Sequence, residues 1–247
     1  MAEVPERAVD AQARAGERTD SCLLSFVAGY VDTCVFVGLF GLFTAHVTGN
    51  FVLIGAELVH HSDNGEVLPK ILALPVFILA VMLTVKVVEA LRRASRTPVA
   101  LLLYAEAGLL LVCVGVALAL AAPSGATALA AVVPGMLAAA AMGLQNALMR
   151  LELASLPSTT VMTINVTQSA IDVAVMLGRR AGPVADPKRA EAKRRFARGW
   201  PPILAFTAGA ATGAAGYALA GLSALALPAL LCIVLGLRFS RRGVSNA

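Results

Sequence analysis

Six apolar runs, each close to the length of a helix that spans a bilayer, take up most of this 247-residue sequence. A spanning helix needs about 20 consecutive apolar residues, and the runs cover 22–42, 70–91, 98–121, 127–149, 201–219 and 222–237. Composition agrees, because 58% of the residues are hydrophobic and only 14% are charged, whereas a soluble domain is about 45–50% apolar. The sequence therefore predicts an all-α, multi-pass membrane protein.

Two shorter apolar pieces, 51–59 and 166–178, follow polar segments that interrupt the hydrophobic pattern. The first segment reads Thr44-Ala-His-Val-Thr-Gly-Asn50 and the second Thr159-Thr-Val-Met-Thr-Ile-Asn165. A break inside a bilayer is costly unless protein or water satisfies the freed backbone groups. We therefore expect half-helices or re-entrant arms here, and these two breaks are the first candidates for function.

The two breaks belong to an internal repeat. One offset superimposes Thr44 on Thr159, Thr48 on Thr163, Asn50 on Asn165 and Glu57 on Asp172, and an offset one residue shorter superimposes Gly29 and Asp32 on Gly143 and Asn146. The sequence thus predicts a first transmembrane repeat over 21–122 and a second over 123–238. Residues 1–20 and 239–247 are predicted to be cytoplasmic tails, the first of them disordered because it is charged and poor in apolar residues.

The basic clusters predict how the chain is oriented. They lie at 92–96, 179–198 and 238–242, and the positive-inside rule assigns such clusters to the cytoplasm. If the short arms crossed the membrane, one of the first two clusters would lie outside. Re-entrant arms and a cytoplasmic N-terminus put every cluster inside, with outer loops at 60–69 and 122–126, a tight turn near Gly221, and a basic cytoplasmic loop over 179–200.

This orientation gives each repeat three full spans, so the second repeat enters the membrane upside down. The predicted fold is six transmembrane helices arranged as two inverted three-helix repeats, each with a polar break and a short half-helix. Inverted repeats are typical of transporters, whose sites lie near the midplane where broken helices meet. We expect multi-pass insertion in the inner (plasma) membrane with both termini cytoplasmic. The net charge of +5 is explained by topology, and no nucleic-acid partner is predicted.

The residues of the breaks suit a polar pathway. Thr44 and Thr48 are one helical turn apart, as are Thr159 and Thr163, so their hydroxyls are expected to share a face. Asn50 and Asn165 add amide groups, Gly49 permits a backbone turn, and His46 can carry a proton. The alternative is that the hydroxyls only cap helix ends around a packing break. Recurrence of the same residues in both halves favours the pathway.

Four acids within apolar segments point the same way. These acids are Asp32, Glu57, Glu106 and Asp172. They outnumber the one clear intramembrane base, Lys86, which we expect to pair with Glu89. Holding a charge at the bilayer centre costs at least about 2.5–3.5 kcal/mol, so such residues usually face a cavity or a partner. The acidic surplus favours a proton or cation pathway. The alternative for each acid is an interfacial or hydrogen-bonded role.

Other polar and small residues have two interpretations. Gln145 and Asn146 can bind a substrate or a neighbouring helix, and Gly209-x-x-x-Gly213 predicts close packing within the bundle or in a homodimer. The four cysteines lack metal or disulfide spacing, and no catalytic motif is present. No catalytic residue, metal or cofactor is predicted.

Several of these motifs resemble one family. Phe26-x-x-Gly29-x-x-Asp32, Phe43-Thr-x-His-x-Thr-Gly-Asn50, Gly143-x-Gln-Asn-Ala147 and Thr-Thr-x-x-Thr163 are similar to the YoaK-like family of bacterial multi-pass membrane proteins, a family of unknown function. The resemblance covers about 23–237. Ile164 departs from it, since the family more often has glycine there. The resemblance implies membrane location and supplies no substrate.

The sequence favours a transporter or channel for a small solute or ion, coupled to protons or cations. The predicted pathway residues are Asp32, Thr44, His46, Thr48, Gly49, Asn50, Glu57, Glu106, Gln145, Asn146, Thr159, Thr163, Asn165 and Asp172. The expected partners are the lipid bilayer, the solute and a second copy of the chain. The alternatives are a membrane enzyme that uses Asp32, His46 and Glu106 on a lipid-like substrate, and a scaffold in which polar residues only fasten helices together.

Overall fold

The computed structural model describes residues 6–60, 67–120, 125, 127–157, 159, 162–178 and 187–245. Within these ranges the chain is helical and contains no strand. The elements are α1 (Glu6–Gly38), α2 (Gly49–His60), α3 (Val67–Arg93), α4 (Pro98–Ala119), α5 (Leu129–Leu151), α6 (Met162–Leu177), α7 (Pro187–Ala220), a 3₁₀ turn (Gly221–Leu225) and α8 (Ala226–Ser245). Most of the predicted outer loops at 60–69 and 122–126 lies outside the described residues.

Among the described residues, five segments are long and apolar enough to cross a membrane by length and composition. They are Ala15–Gly38, Val67–Arg93, Pro98–Ala119, Leu129–Leu151 and Pro187–Arg242, the last of which includes α7, the 3₁₀ turn and α8. Many large apolar side chains on these helices face outward, such as Leu79, Met82 and Leu83 on α3. A soluble monomer rarely exposes so continuous an apolar surface. The prediction of an all-helical membrane protein is confirmed at this level.

The helices pack in parallel and antiparallel pairs that fix the two ends of the bundle. Helices α1 and α7 are parallel, since Gly29 lies against Phe206 and Gly38 against Tyr217. Helices α3 and α5 are also parallel, because Gly143 lies against Phe77 and Arg92 donates to the Leu151 carbonyl. Helix α8 runs antiparallel to α1, and its Arg242 binds Asp20 near the start of α1. The start of α1 and the end of α8 therefore lie at one end, which we call the basic end.

Glycines bring these helices into backbone contact. A Cβ on Gly29 would lie 2.3 Å from the Phe206 carbonyl oxygen, and one on Gly209 would lie 2.2 Å from the Phe26 carbonyl oxygen. The glycine face predicted on α7 thus packs within the bundle, against α1. In the second pair, a Cβ on Gly143 would lie 2.8 Å from the Phe77 carbonyl oxygen. Glycines that correspond in the sequence repeat therefore make corresponding contacts.

The short helices α2 and α6 lie at the periphery and run toward opposite ends. Helix α2 packs on α3 and α6 on α7, and within the described ranges α2 and α6 do not contact each other. Lys70, near the start of α3, binds both Glu57 of α2 and the Phe40 carbonyl just after α1. Helix α2 thus approaches the end where α1 stops, whereas α6 approaches the basic end.

The charged ends of several helices differ from the predicted boundaries. Helix α1 already begins at Glu6, within the predicted disordered tail, and α7 begins at Pro187, within the predicted loop 179–200. Helix α8 likewise continues to Ser245 in the predicted C-terminal tail. Asp20 is buried and binds Arg238 and Arg242. Ion pairs between helix ends explain how polar sequence remains helical beyond the apolar runs.

Candidate functional site

The first break is an unwound loop between α1 and α2. Phe40 and Gly41 adopt left-handed backbone angles, with φ of 54° and 74°, and turn the chain back along the bundle. The sequence predicted this turn at Gly49, which has no such angle. A Cβ on Gly49 would instead lie 3.0 Å from the Phe43 ring. Gly49 therefore serves a close contact, and the turn is made earlier.

The Asp32 carboxylate of α1 holds this loop. Its Oδ1 accepts hydrogen bonds from the backbone N–H groups of Thr44 and Ala45, both at 2.7 Å, and from the Thr44 hydroxyl at 3.2 Å. Its Oδ2 lies 2.7 Å from His46 Nδ1. Donors freed by unwinding are thus satisfied within the protein, as an apolar surrounding requires. Asp32, the only one of the four acids placed directly on a break, organises the loop around itself.

His46 and Asn50 complete the first break. The Asn50 amide donates to the Phe43 carbonyl at 2.9 Å and accepts from the Phe43 N–H at 3.0 Å. The His46 ring lies edge-on to Phe206 of α7, with ring centroids 5.5 Å apart, and its side chain is 34% exposed. An imidazole oriented by a carboxylate is suited to accept and release a proton.

The second break is held by an amide. Gln145 of α5 donates through Nε2 to the Leu24 carbonyl of α1 at 3.0 Å and to the Thr159 hydroxyl at 3.2 Å. Its Oε1 is buried without a hydrogen-bond partner among the described residues. Residues 158, 160 and 161 lie outside the described part of the chain. The predicted Gln145 and Thr159 are therefore brought together, at a site without charge.

The paired threonines do not share a face. Thr44 and Thr159 are buried, whereas Thr48 and Thr163 are exposed, because neither pair lies within one continuous helix. The hydroxyls of Thr48 and Thr163 have no hydrogen-bond partner among the described residues. The prediction of a shared face is wrong, and within the described part of the chain the hydroxyls of Thr48 and Thr163 cap no helix end.

Two of the four acids form ion pairs that the sequence interpretation missed. Glu57 Oε1 lies 2.5 Å from Lys70 Nζ. Asp172 Oδ1 accepts from Arg195 Nη2 at 2.8 Å, from Arg195 Nε at 3.1 Å and from Gln168 at 3.1 Å. The predicted acidic surplus is therefore smaller: of the four acids, Asp32 and Glu106 are the two without a Lys or Arg partner among the described residues. The predicted Lys86–Glu89 pair is present at 3.3 Å.

Glu106 lies apart from both breaks. It is fully buried in α4, where the Cys232 thiol of α8 is its polar neighbour. No N–H or O–H of the described residues donates to either of its oxygens. Of the remaining predicted amides, Asn146 donates to the Met142 carbonyl at 2.9 Å, and Asn165 donates to the Met162 sulfur at 3.8 Å.

The antiparallel packing of α6 on α7 fixes the height of the second break, meaning its position along the axis of α7. Asp172 faces Arg195, and a Cβ on Gly199 would lie 3.7 Å from the Ser169 hydroxyl. Continuing this antiparallel register brings Met162, the first residue of α6, to the level of Phe206. His46 contacts Phe206 from the first break. Both breaks therefore reach the same height of α7 from opposite ends of the bundle.

Two cavities lie away from the breaks. One of about 480 Å³ is at the basic end, between α1, α7 and Leu156, and one of about 220 Å³ is beside Tyr217 and Gly221 at the opposite end. Neither is lined by Asp32, His46, Thr48 or Thr163. Among the described side chains, no group of three or more His, Cys, Asp and Glu residues is placed to hold a metal ion.

The comparisons with known proteins give one match. Residues 21–237 match the family described as "Protein of unknown function (DUF1275)". No curated protein and no solved structure matches the chain. The match covers both repeats and both breaks.

Proposed function

The chain belongs to the DUF1275 family, and because that membership assigns no substrate, we propose from the geometry that it is an integral membrane transporter or channel for a small solute or ion. The length and apolar composition of the helices support the premise that this is a multi-helical membrane protein. The expected location is the inner membrane of a bacterial cell, as the YoaK-like resemblance implies.

We infer six crossings from the helix directions. Helices α1, α4 and α7 run away from the basic end, and α3, α5 and α8 run toward it. The chain reverses between α7 and α8 at Gly221, whose φ is 60°. The basic end carries Arg92, Arg198 and Arg242, and the positive-inside rule makes it cytoplasmic. This supports cytoplasmic termini and re-entrant α2 and α6.

The helix contacts support two inverted repeats. Helices α1 to α4 of the first half correspond in order to α5 to α8 of the second. The α1–α7 contact then corresponds to α5–α3, and the α2–α3 contact corresponds to α6–α7. The α4–α8 contact corresponds to itself. Exchanging the two halves of the sequence leaves this set of contacts unchanged. Since each half has three crossings, the exchange also inverts the direction through the membrane. This is the relation between inverted repeats in transporters.

The observation that carries the proposal is that two broken segments enter from opposite ends and reach one height. In the proposed mechanism, the exposed hydroxyls of Thr48 and Thr163 contact the solute. Asp32 and His46 bind the coupling proton or cation, and Glu106 is a second proton carrier. A proton or cation on Asp32 competes with the donors of Thr44, Ala45 and His46. Binding there would release the first break and open the pathway.

The direct test is flux into proteoliposomes for a panel of cations, anions and small metabolites, with a pH-sensitive dye for protons. We expect flux with the native chain and its loss in Asp32→Asn and Thr48→Val. The matched controls are Glu89→Gln and Thr212→Val, because Glu89 is paired at the basic end and the Thr212 hydroxyl bonds within its own helix. Absence of flux across the whole panel, or equal loss in the controls, would contradict the proposal.

A membrane enzyme for a lipid-like substrate is the second candidate. It is favoured by the half-buried His46 imidazole beside Asp32, an arrangement that also suits general acid–base catalysis. Mass spectrometry of lipid extracts incubated with the native chain and with His46→Gln distinguishes the two. Lipid turnover that requires His46, without any flux, would favour the enzyme.

A further inference from the structure

The larger cavity has a composition that transport through the breaks does not explain. It lies at the basic end, has a volume of about 480 Å³, and is lined by Glu17, Arg18, Ser21, Arg194 and Arg198, with Leu156 and Pro157 as an apolar wall. A volume of this size falls within the usual range of small-molecule sites. Three guanidiniums against one carboxylate leave the cavity with an excess of positive charge.

Two of the guanidiniums form no hydrogen bond or ion pair within the part of the chain that the structure describes. Arg198 donates to the Ser155 carbonyl and lies 3.8 Å from Glu17. Arg18 and Arg194, by contrast, make no hydrogen bond or ion pair with any residue that the structure describes. Guanidinium groups present several N–H donors in a fork that matches the oxygens of carboxylates and phosphates. Two such groups at one cavity form an anion-binding arrangement.

A buried hydroxyl supplies an independent sign of a ligand. Ser21 lines the same cavity, the residue is 1% exposed, and its Oγ has no hydrogen-bond partner among the described residues. Buried polar groups are almost always satisfied, so an unpaired one needs a partner. An anion held between Arg18 and Arg194 would provide an acceptor for this hydroxyl.

The position of the cavity relates it to the membrane surface. The ring of Trp200 on α7 stacks on that of Phe196, with centroids 5.6 Å apart, and Trp200 is 41% exposed. Tryptophan is enriched at the headgroup level of bilayers. Basic pockets between helices on the cytoplasmic side are suited to lipid headgroups, while an open cavity at this level is also reachable from water.

We propose that this cavity binds a phosphate-bearing anion through Arg18, Arg194 and the Ser21 hydroxyl. The phosphate belongs either to the headgroup of an anionic lipid or to a free phosphate from the aqueous side. The site includes no residue of either break, and its test does not depend on transport. Since Leu156 and Pro157 lead directly to Thr159, the occupied cavity would also hold the chain that enters the second break.

The test compares two phosphate sources on the purified full-length protein in neutral detergent. Thermal unfolding is followed with inorganic phosphate against chloride at equal ionic strength, since a ligand of the folded state raises the midpoint. Retention of phosphatidylglycerol against phosphatidylcholine is measured by native mass spectrometry. A higher unfolding midpoint in phosphate than in chloride identifies free phosphate as the ligand. Selective retention of phosphatidylglycerol identifies the lipid headgroup as the ligand.

The variants separate the cavity from general surface charge. The double change Arg18→Gln and Arg194→Gln is expected to weaken binding about tenfold or more, because each removes a charge-assisted hydrogen bond. The control is Arg96→Gln with Arg241→Gln, which removes the same charge from exposed positions outside the cavity. Ser21→Ala is expected to weaken binding while keeping all charges. No binding of either probe by the native protein, or equal weakening in both double variants, would overturn the proposal.

Discussion

The two breaks perform the same structural task with different chemistry. The first is held by the Asp32 carboxylate, which accepts from Thr44 and Ala45 and pairs with His46. The second is held by the neutral Gln145 amide, which makes two hydrogen bonds and leaves one buried oxygen unpaired. Charge-assisted hydrogen bonds are about twice as strong as neutral ones. We therefore infer that the first break is the more firmly held.

The half-helices show the same difference. Glu57 of α2 pairs with Lys70, whose side chain is 2% exposed, so this ion pair is enclosed by protein. Asp172 of α6 pairs with Arg195, which is 42% exposed and also binds Glu191. The Asp172 side chain is itself only 1% exposed, so the arginine is the water-accessible partner of this pair. An ion pair with one partner open to water contributes less than a pair with both partners shielded from it. From both comparisons we infer that the second break and α6 are held less firmly than the first break and α2 and are therefore the more mobile pair. In the proposed topology this pair lies toward the cytoplasmic end.

The largest predicted effect comes from replacing, one at a time, the residues that hold the two breaks. Asp32→Ala leaves two backbone N–H groups and His46 without their acceptor, and should destabilise the protein by about 3–5 kcal/mol. Gln145→Ala removes two neutral hydrogen bonds and should cost about 1–3 kcal/mol. Thermal unfolding in detergent measures both. Equal losses would remove the distinction between the breaks.

The next effect concerns the half-helix anchors. Glu57→Gln removes the charge of the carboxylate that binds the buried Lys70 ammonium and should cost about 2–3 kcal/mol. Asp172→Asn leaves a half-exposed Arg195 that keeps Glu191 and should cost about 1 kcal/mol. Limited proteolysis and thermal unfolding of the two variants give the comparison. A larger loss for Asp172→Asn would reverse the assignment of the mobile repeat.

A smaller effect is expected at the glycine contacts that join the repeats. Gly29→Ala introduces a Cβ 2.3 Å from a carbonyl oxygen and Gly143→Ala one at 2.8 Å, so each should cost about 1–3 kcal/mol, with Gly29 the higher. Gly108→Ala is the control, because nothing lies within 4 Å of its added Cβ. Helix propensity should leave that variant unchanged or slightly more stable. Equal destabilisation by all three changes would show that the contacts are not specific.

The sequence predicted the helical class, the close packing at Gly209 and Gly213 and the Lys86–Glu89 pair because each depends on local pattern. It did not predict that Glu57 binds Lys70 or that Asp172 binds Arg195, since these partners lie 13 and 23 residues away and meet only when the half-helices fold back. The separation of Thr44 from Thr48 was missed for a related reason. Helical spacing was assumed in a segment that Phe40 and Gly41 unwind.

The smallest stability effect is expected at Thr48. Thr48→Val changes an exposed hydroxyl without a partner among the described residues, and should shift the free energy of unfolding by less than about 0.5 kcal/mol. Thr44→Val removes a hydroxyl bonded to Asp32 and should cost about 1 kcal/mol. Paired unfolding curves test this order. A large loss in Thr48→Val would mean that its hydroxyl is structural and would weaken its assignment to the pathway.

The central claim is that the two breaks enter the membrane from opposite sides. Cysteine labelling from each side of the membrane tests this claim most directly. Single cysteines replace Leu58 at the end of α2 and Gly178 just after α6, in a chain whose partly exposed Cys22 is changed to Ala. A membrane-impermeant thiol reagent should label Leu58→Cys only from the outer side and Gly178→Cys only from the cytoplasmic side. Labelling of both positions from the same side would contradict the account.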